Sequence, residues 1–488
     1  MALFSASGGS ICGISCAPYV STVQSNPLIS STLQKLGTCP AGVGPSLGTG
    51  RSKLLIYELE TPASVIRIFR MDTRLEKSLM QEGVLRIHSF QRRKTMLRRI
   101  LRISLVFIWV LGVGCVKKSE EKPFIFGMLL AGPYNDRGWS QAHYDAGLYV
   151  ERKLPGVKML YLDKVNPADR PGLTLPQLVD DLVAKGASLI IANSDDMKDG
   201  LREAARQHPE TTFIHVSGDD VLTKKASSNL GNVMGRMEYG KMMAGFVAAL
   251  TTKTGKIGYL GPLINEETRR LAASSYLGAA YGWENVRGKP LDELNFKVNW
   301  IGFWFNIPGV TADPSQVANR FYDGGYDVVI SGIDTTEALV VAMQKLRAGR
   351  QVWAIPYDYK GACLGADQVC LGVPYFNWGP AYLENVKAVR DGRWQQAWKW
   401  NGPDWRDINN EDTSAIGFIN GPALSPDAAA GLERFVQGLA AGKINVFQGP
   451  LFYQDGTPFL LAGETATDAK IWYMAQLLKG MEGASSPR

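Results

Sequence analysis

The sequence predicts an α/β protein built as two doubly wound units. Strand-length apolar runs alternate with helix-periodic stretches from residue 124 onward. The runs are apolar throughout, as expected of strands buried on both faces of a parallel sheet. The same strand–helix grammar then restarts after about residue 233, giving two units of similar size.

The elements follow in order. Residues 124–131 read as a strand. Residues 135–153 have helical spacing, with Trp139, Ala142, Ala146 and Tyr149 on one side. Strand 157–161 follows, then helix 177–185, stopped by Gly186 as a C-terminal cap. Strand 188–192, helix 198–207 and strand 212–216 complete the first unit. The second opens with helix 240–250, strand 256–260, helix 266–281 and strand 296–301. It continues with helix 314–323, strand 327–331, helix 335–347 and strand 352–356. A helix at 380–390, strand-like residues 414–419 and a helix at 426–441 return the chain. No long linker separates the halves, so short hinges are expected.

Ahead of these units lies Met96-Leu-Arg-Arg-Ile-Leu-Arg102, an apolar run from Ile103 to Gly114, Cys115, and the polar stretch 116–123. A basic start, a short apolar core and a small residue before the cut make a secretory signal. The run is about a dozen residues, against the ~20 a membrane-spanning helix needs. It resembles a bacterial lipoprotein signal, which implies a lipid on Cys115. The expected organisation is therefore an extension at 1–95 that precedes the translated protein, a signal at 96–115 and a tether at 116–123. Residues 124–232 with about 360–392 then form one lobe, and 233–359 with about 393–482 the other.

Charge agrees with this division. The chain carries 53 basic and 46 acidic residues, net +7. Residues 1–115 hold 14 and 5 of these, leaving 39 basic and 41 acidic in 116–488. The part that folds has no net positive field to attract phosphates, so no nucleic-acid partner is expected. Of six cysteines, only Cys363 and Cys370 lie beyond Cys115, and in an oxidising compartment they could form a disulfide. The four histidines are scattered, which argues against a metal site.

Ligands of open α/β sheets bind outside the strand C-terminal ends. Those loops contain Asn135, Asp136 and Trp139; Asn193, Ser194, Asp195 and Asp196; Asp219; Asp334; and Asp358. No phosphate-cradling Gly loop with Lys and no Gly-x-Ser-x-Gly elbow appears. Carboxylates with tryptophan suit a polyhydroxylated or heterocyclic ligand. Each residue also has a plain structural role open to it: the aspartates can cap helices, and Trp139 can be core. Recurrence of such loops in both halves favours binding.

The segment Asn135-Asp-Arg-Gly-Trp-Ser-Gln-Ala-His-Tyr-Asp-Ala-Gly147 resembles the opening signature of the basic membrane protein family. These are ABC-transporter substrate-binding lipoproteins of the purine nucleoside receptor type. Gly235–Gly245 with Thr252–Tyr259, Phe376–Tyr382 with Asp391–Trp394, and Gly449–Gly456 resemble its later blocks, in order. The resemblance covers roughly 124–480. It implies the type I periplasmic binding protein fold, two Rossmann-like lobes hinged around a cleft, with no catalysis and no cofactor. It implies ligand contacts from Asn135, Asp136, Trp139, Asn193, Ser194, Asp195 and Asp219 in one lobe. Trp304 or Phe305, Asp334 and Asp358 would face them, with Trp378 at the crossover. The expected ligand is a purine nucleoside or base, with riboflavin or a sugar as alternatives. The expected partners are an ABC permease and its ATPase, met by an exported, lipid-anchored monomer; a sensing receptor without transport is the other reading. Common nucleoside-binding members have Lys-Ser-Phe where this chain has Arg137-Gly138-Trp139, and Asp-Ser where it has Asp334-Thr335. A nucleoside hydrolase would need a tight aspartate run near its start, and a regulator a helix-turn-helix ahead of the lobes. Neither pattern is present.

Overall fold

The computed structural model describes residues 122–487. The extension, the signal and Cys115 lie outside the described residues. The first unit is β1 (Phe124–Leu129), α1 (Trp139–Lys153), β2 (Val157–Leu162), α2 (Leu175–Ala184), β3 (Ala187–Ala192), α3 (Lys198–Gln207), β4 (Thr212–Val216) and β5 (Leu230–Gly235). The second is α4 (Met237–Thr251), β6 (Lys256–Gly261), α5 (Glu266–Tyr281), β7 (Asn295–Trp300), α6 (Pro314–Asp323), β8 (Val328–Ser331), α7 (Glu337–Arg347) and β9 (Trp353–Ile355). The return comprises β10 (Gly372–Phe376), α8 (Gly379–Arg390), β11 (Trp398–Asn401), β12 (Ile416–Asn420) and α9 (Pro426–Ala440). β13 (Leu451–Phe452), β14 (Pro458–Leu460), α10 (Asp468–Trp472) and β15 (Met481–Glu482) end the chain.

The apolar runs become the interiors of two parallel sheets, ordered β11-β5-β4-β3-β1-β2 and β15-β7-β6-β8-β9. Each sheet with its helices is a lobe. Phe126, Leu189, Ile191 and Val233 belong to the first lobe's core, and Tyr259, Phe296 and Val328 to the second's. β10 and β12 pair antiparallel as a separate two-stranded ribbon. The fold is the two-lobed α/β architecture expected from the sequence.

Helix starts follow local chemistry. Thr174 and Gln177 form a capping box at α2, and Asn265 accepts from the Thr268 amide, at 2.9 Å, at α5. α4 and α5 touch backbone to backbone. A Cβ on Gly245 would sit 1.7 Å from the Ser275 oxygen, so only glycine permits that crossing.

Three expectations change. The helix expected from 135 begins at Trp139, because Asp136 accepts from the amides of Gly138 at 2.8 Å and of Ser140 and Gln141 at 3.0 Å, holding 135–138 as a loop. β5, β10 and β11 were not expected; Leu-Gly-Asn-Val-Met-Gly carries no period and becomes a strand only between β4 and β11. The return to the first lobe comes later than the expected 360, since Ala362, Ala366, Val369 and Cys370 pack with Leu260 and Val329 of the second, and the chain stays with the first sheet as far as Asn401 instead of 392, because β11 is a strand only through pairing with β5. Cys363 and Cys370 are joined by a disulfide. Among the described residues no helix is long and apolar enough to cross a membrane.

Candidate functional site

The C-terminal ends of both sheets face one narrow cavity with about 20 Å³ of free interior space. From the first lobe come Trp139 at the start of α1, Asn193, Ser194 and Asp195 after β3, and Ser217 after β4. From the second come Tyr259 on β6, Glu267, Thr268 and Leu271 in the first turns of α5, Trp304 after β7, Gly332 and Asp334 after β8, and Tyr357 after β9. Aromatic groups of both lobes thus border a wall of carboxyl, amide and hydroxyl groups.

Hydrogen bonds hold parts of this wall in place and leave others free. The Trp139 indole donates to the Asn193 carbonyl at 2.6 Å. The Asn193 side-chain oxygen accepts from the Ala131 amide at 2.9 Å, while its buried Nδ2 has no partner. Such an unpaired buried donor costs about 1–3 kcal/mol unless a ligand engages it. The backbone of Trp304 accepts from the Asp334 amide at 3.0 Å, tying the loop after β7 to the loop after β8.

Burial dominates the electrostatics. Asp334 is buried, and burial, with Asp358 and Asp136 adding like charge, raises its carboxyl well above the ordinary range. Burial pushes Glu267 up to about 7, opposed by Arg270. Asp196 rises to about 6 through burial and the neighbouring Asp195. The counter-charge is Lys241 on α4. It is wholly buried, donates to the Ser331 carbonyl at 2.6 Å and lies 3.3 Å above the Tyr357 ring centroid. Burial lowers this ammonium to about 7, with Asp358 opposing.

The sequence-predicted residues divide into two groups. Trp139, Asn193, Ser194, Asp195, Trp304 and Asp334 line the cavity. Asp358 is sealed beneath it, fully buried with both carboxyl oxygens unpartnered and its backbone left-handed at φ 70°. The others have different settings. Asn135 is exposed, and Asp136 holds the loop before α1, with burial raising it to about 6. Asp219 accepts from the Tyr473 hydroxyl at 3.1 Å. Phe305 packs edge-on against Phe303. Trp378 is core, stacked between His143 and Phe376 with centroids 4.5 and 4.6 Å away. Glu267, Thr268, Tyr259, Tyr357 and Lys241 were missed. Glu267 and Thr268 follow a strand end that obeys the same rule as the others, but as first-turn helix residues they carry no signal beyond capping. Lys241 lies inside a largely apolar helix, Met237–Thr251, whose other charged residue is Glu238, and that was the available clue.

Two α/β lobes whose strand ends share one cavity have the architecture of a solute-binding protein. A family model described as ABC transporter substrate-binding protein PnrA-like (Bmp) matches residues 125–419, and the chain belongs to that family, one of binding components rather than enzymes. A purine-binding protein of Brucella abortus is 27% identical over 371 residues, covering 76% of this chain and 96% of that protein. A Haloferax volcanii chain provisionally described as an ABC transporter glucose-binding protein is 23% identical, covering 71% and 78%. An ABC transporter solute-binding protein of Aeropyrum pernix K1 shares the fold, with TM-score 0.54 at 15% identity, over 66% of this chain and 93% of that one.

Proposed function

We propose that this substrate-binding protein captures a purine nucleoside or base between its lobes and delivers it to an ABC permease. The observation that carries the reading is the pairing of Trp139 and Trp304, from opposite lobes, on one cavity with Asn193, Asp195, Glu267 and Asp334. Aromatic side chains favour a planar heterocycle. The carboxyl groups accept from ribose hydroxyls and exocyclic amines, and the free Asn193 Nδ2 donates to a ring nitrogen. Among the described residues no Lys or Arg lines the cavity, which suits an uncharged nucleoside over a phosphorylated one. The purine-binding Brucella relative supports the same choice. Both lobes contact the ligand only when shut, so binding would stabilise the closed state that a permease recognises.

The lipoprotein-like signal supports export and a lipid on Cys115, holding the protein beside its permease; several chains make a stable anchor. The intact mass of the native protein tests this, and a mature chain that retains residues 1–95 would refute it. Ligand class is tested by a thermal-shift screen against nucleosides, bases, riboflavin and sugars. Nucleosides or bases should raise the melting temperature. A shift with sugars alone would replace the purine reading with the one the Haloferax relative suggests.

A further inference from the structure

The lobes meet at one backbone contact on the rim of the cavity. The Trp139 amide points at the Asp334 carbonyl, 3.4 Å away, and joins the start of α1 in the first lobe to the loop after β8 in the second. Beside it lies Gly138. A Cβ there would stand 1.6 Å from the Asp334 oxygen and 2.7 Å from its carbonyl carbon. Those atoms are backbone, so no side-chain rotation relieves the clash. The backbone of Gly138, at φ −143° and ψ −134°, also lies outside the α and β regions open to other residues, so glycine is demanded locally as well as by the neighbour across the cleft. Other contacts also bridge the lobes without a ligand, among them Arg137, which donates to the Leu364 carbonyl at 3.5 Å, the Tyr473 hydroxyl, which donates to Asp219 at 3.1 Å, and the Tyr149 hydroxyl, which donates to Asp412 at 2.7 Å.

We infer that Gly138 is a specificity-determining positioning residue: its missing side chain sets how far the lobes close, and thereby the size of the enclosed site. The consequence is mechanical. Trp139 and Asp334 belong to different lobes yet line the same cavity, and they do so only at this separation. Any side chain at 138 must displace one lobe from the other, widening the space between Trp139 and Trp304 and breaking the Trp139–Asp334 bond. Closure then stops short of a snug fit around a single heterocycle. The inference rests on the cavity being the ligand site, and its test separates the two.

Spin labels carried by a non-natural amino acid at Leu173 and Val310, exposed positions on loops after β2 and β7, report lobe separation by double electron–electron resonance. The full chain is measured alone and with adenosine, guanosine, adenine, riboflavin and glucose, as wild type, Gly138→Ala and Gly138→Ser. Melting of each ligand-free variant shows that the lobes fold, and Gly138→Ala, which adds a single carbon, serves if Gly138→Ser melts early. The wild type should reach a short separation that the variants lack, and any compound it binds should bind them at least tenfold more weakly. Equal short separations in wild type and variants overturn the inference even if purines bind. A short separation confined to the wild type upholds it even if no purine binds, and the purine reading then falls alone. If the wild type never reaches the short separation under any condition, the inference falls.

Discussion

Asp220 and Asp358 are both buried aspartates just past a strand end, one in each lobe, and their surroundings are opposite. Asp220 accepts from His215 Nδ1 at 2.6 Å, from Asn232 Nδ2 at 3.0 Å and from the Arg202 guanidinium. Burial alone would raise it, but these donors hold it well below the ordinary carboxylate range. Asp358 has no hydrogen-bond partner on either oxygen, and burial raises it despite Lys241. The first lobe uses its deepest acid to hold itself together. The second seals Asp358 beneath the cavity with neither carboxyl oxygen hydrogen-bonded, a polar group for which the fold supplies no donor.

The largest test of this contrast is Asp220→Ala. It leaves His215, Arg202 and Asn232 facing an empty site and should cost about 3–5 kcal/mol of stability, read as a lowered chemical-denaturation midpoint. The pH dependence has a definite sign. A carboxylate held below its ordinary 3.8 contributes its full stability above that pH, and the contribution is lost as pH falls below it. A variant as stable as the wild type would break the comparison.

Next is Trp304→Ala, which removes a half-buried second-lobe ring from the cavity wall. Binding of the compound selected by the thermal screen should weaken by about 1–3 kcal/mol, measured calorimetrically. Unchanged affinity would remove Trp304 from the binding surface.

The pH dependence of binding comes third. Glu267, raised to about 7, becomes the stronger, charge-assisted acceptor for ligand donors once ionised. Affinity should therefore rise between pH 6 and 8, by no more than about tenfold per pH unit for one proton. A flat profile would assign Glu267 to support of Arg270 alone.

The smallest expected effect is on ligand-free stability in Asp358→Asn. With no protein hydrogen-bond donors to lose, the folded state should change by less than about 1 kcal/mol, read as an almost unchanged denaturation midpoint. A large loss of stability would show that Asp358 is structural after all, and the two lobes would then use their buried acids alike.

Much of the candidate cavity lining was legible because strand C-terminal ends in doubly wound sheets converge on one space between the lobes. Trp139, Asn193, Ser194, Asp195, Trp304 and Asp334 were all found by that rule or by the family resemblance. The same rule applied to the end of β6 would have reached Glu267. It could not separate Asp136, which restrains a loop, from Asp334, which faces a cavity, because both read as an acid after a strand. Trp378 shows the same limit from the aromatic side: its ring is suited to a ligand, but His143 and Phe376 already occupy its faces.

Composition and periodicity by themselves determined the two α/β units and placed the basic excess of the chain in residues 1–115. These are properties of short windows, where apolar spacing and burial are tightly coupled. Tertiary structure alone decided that β5 and β11 are strands, since they gain their backbone partners only from neighbours distant in sequence. It alone decided that Lys241 lies behind the cavity and that Gly138 meets Asp334, because those contacts join residues about 90 to 200 positions apart through the packing of whole helices and sheets.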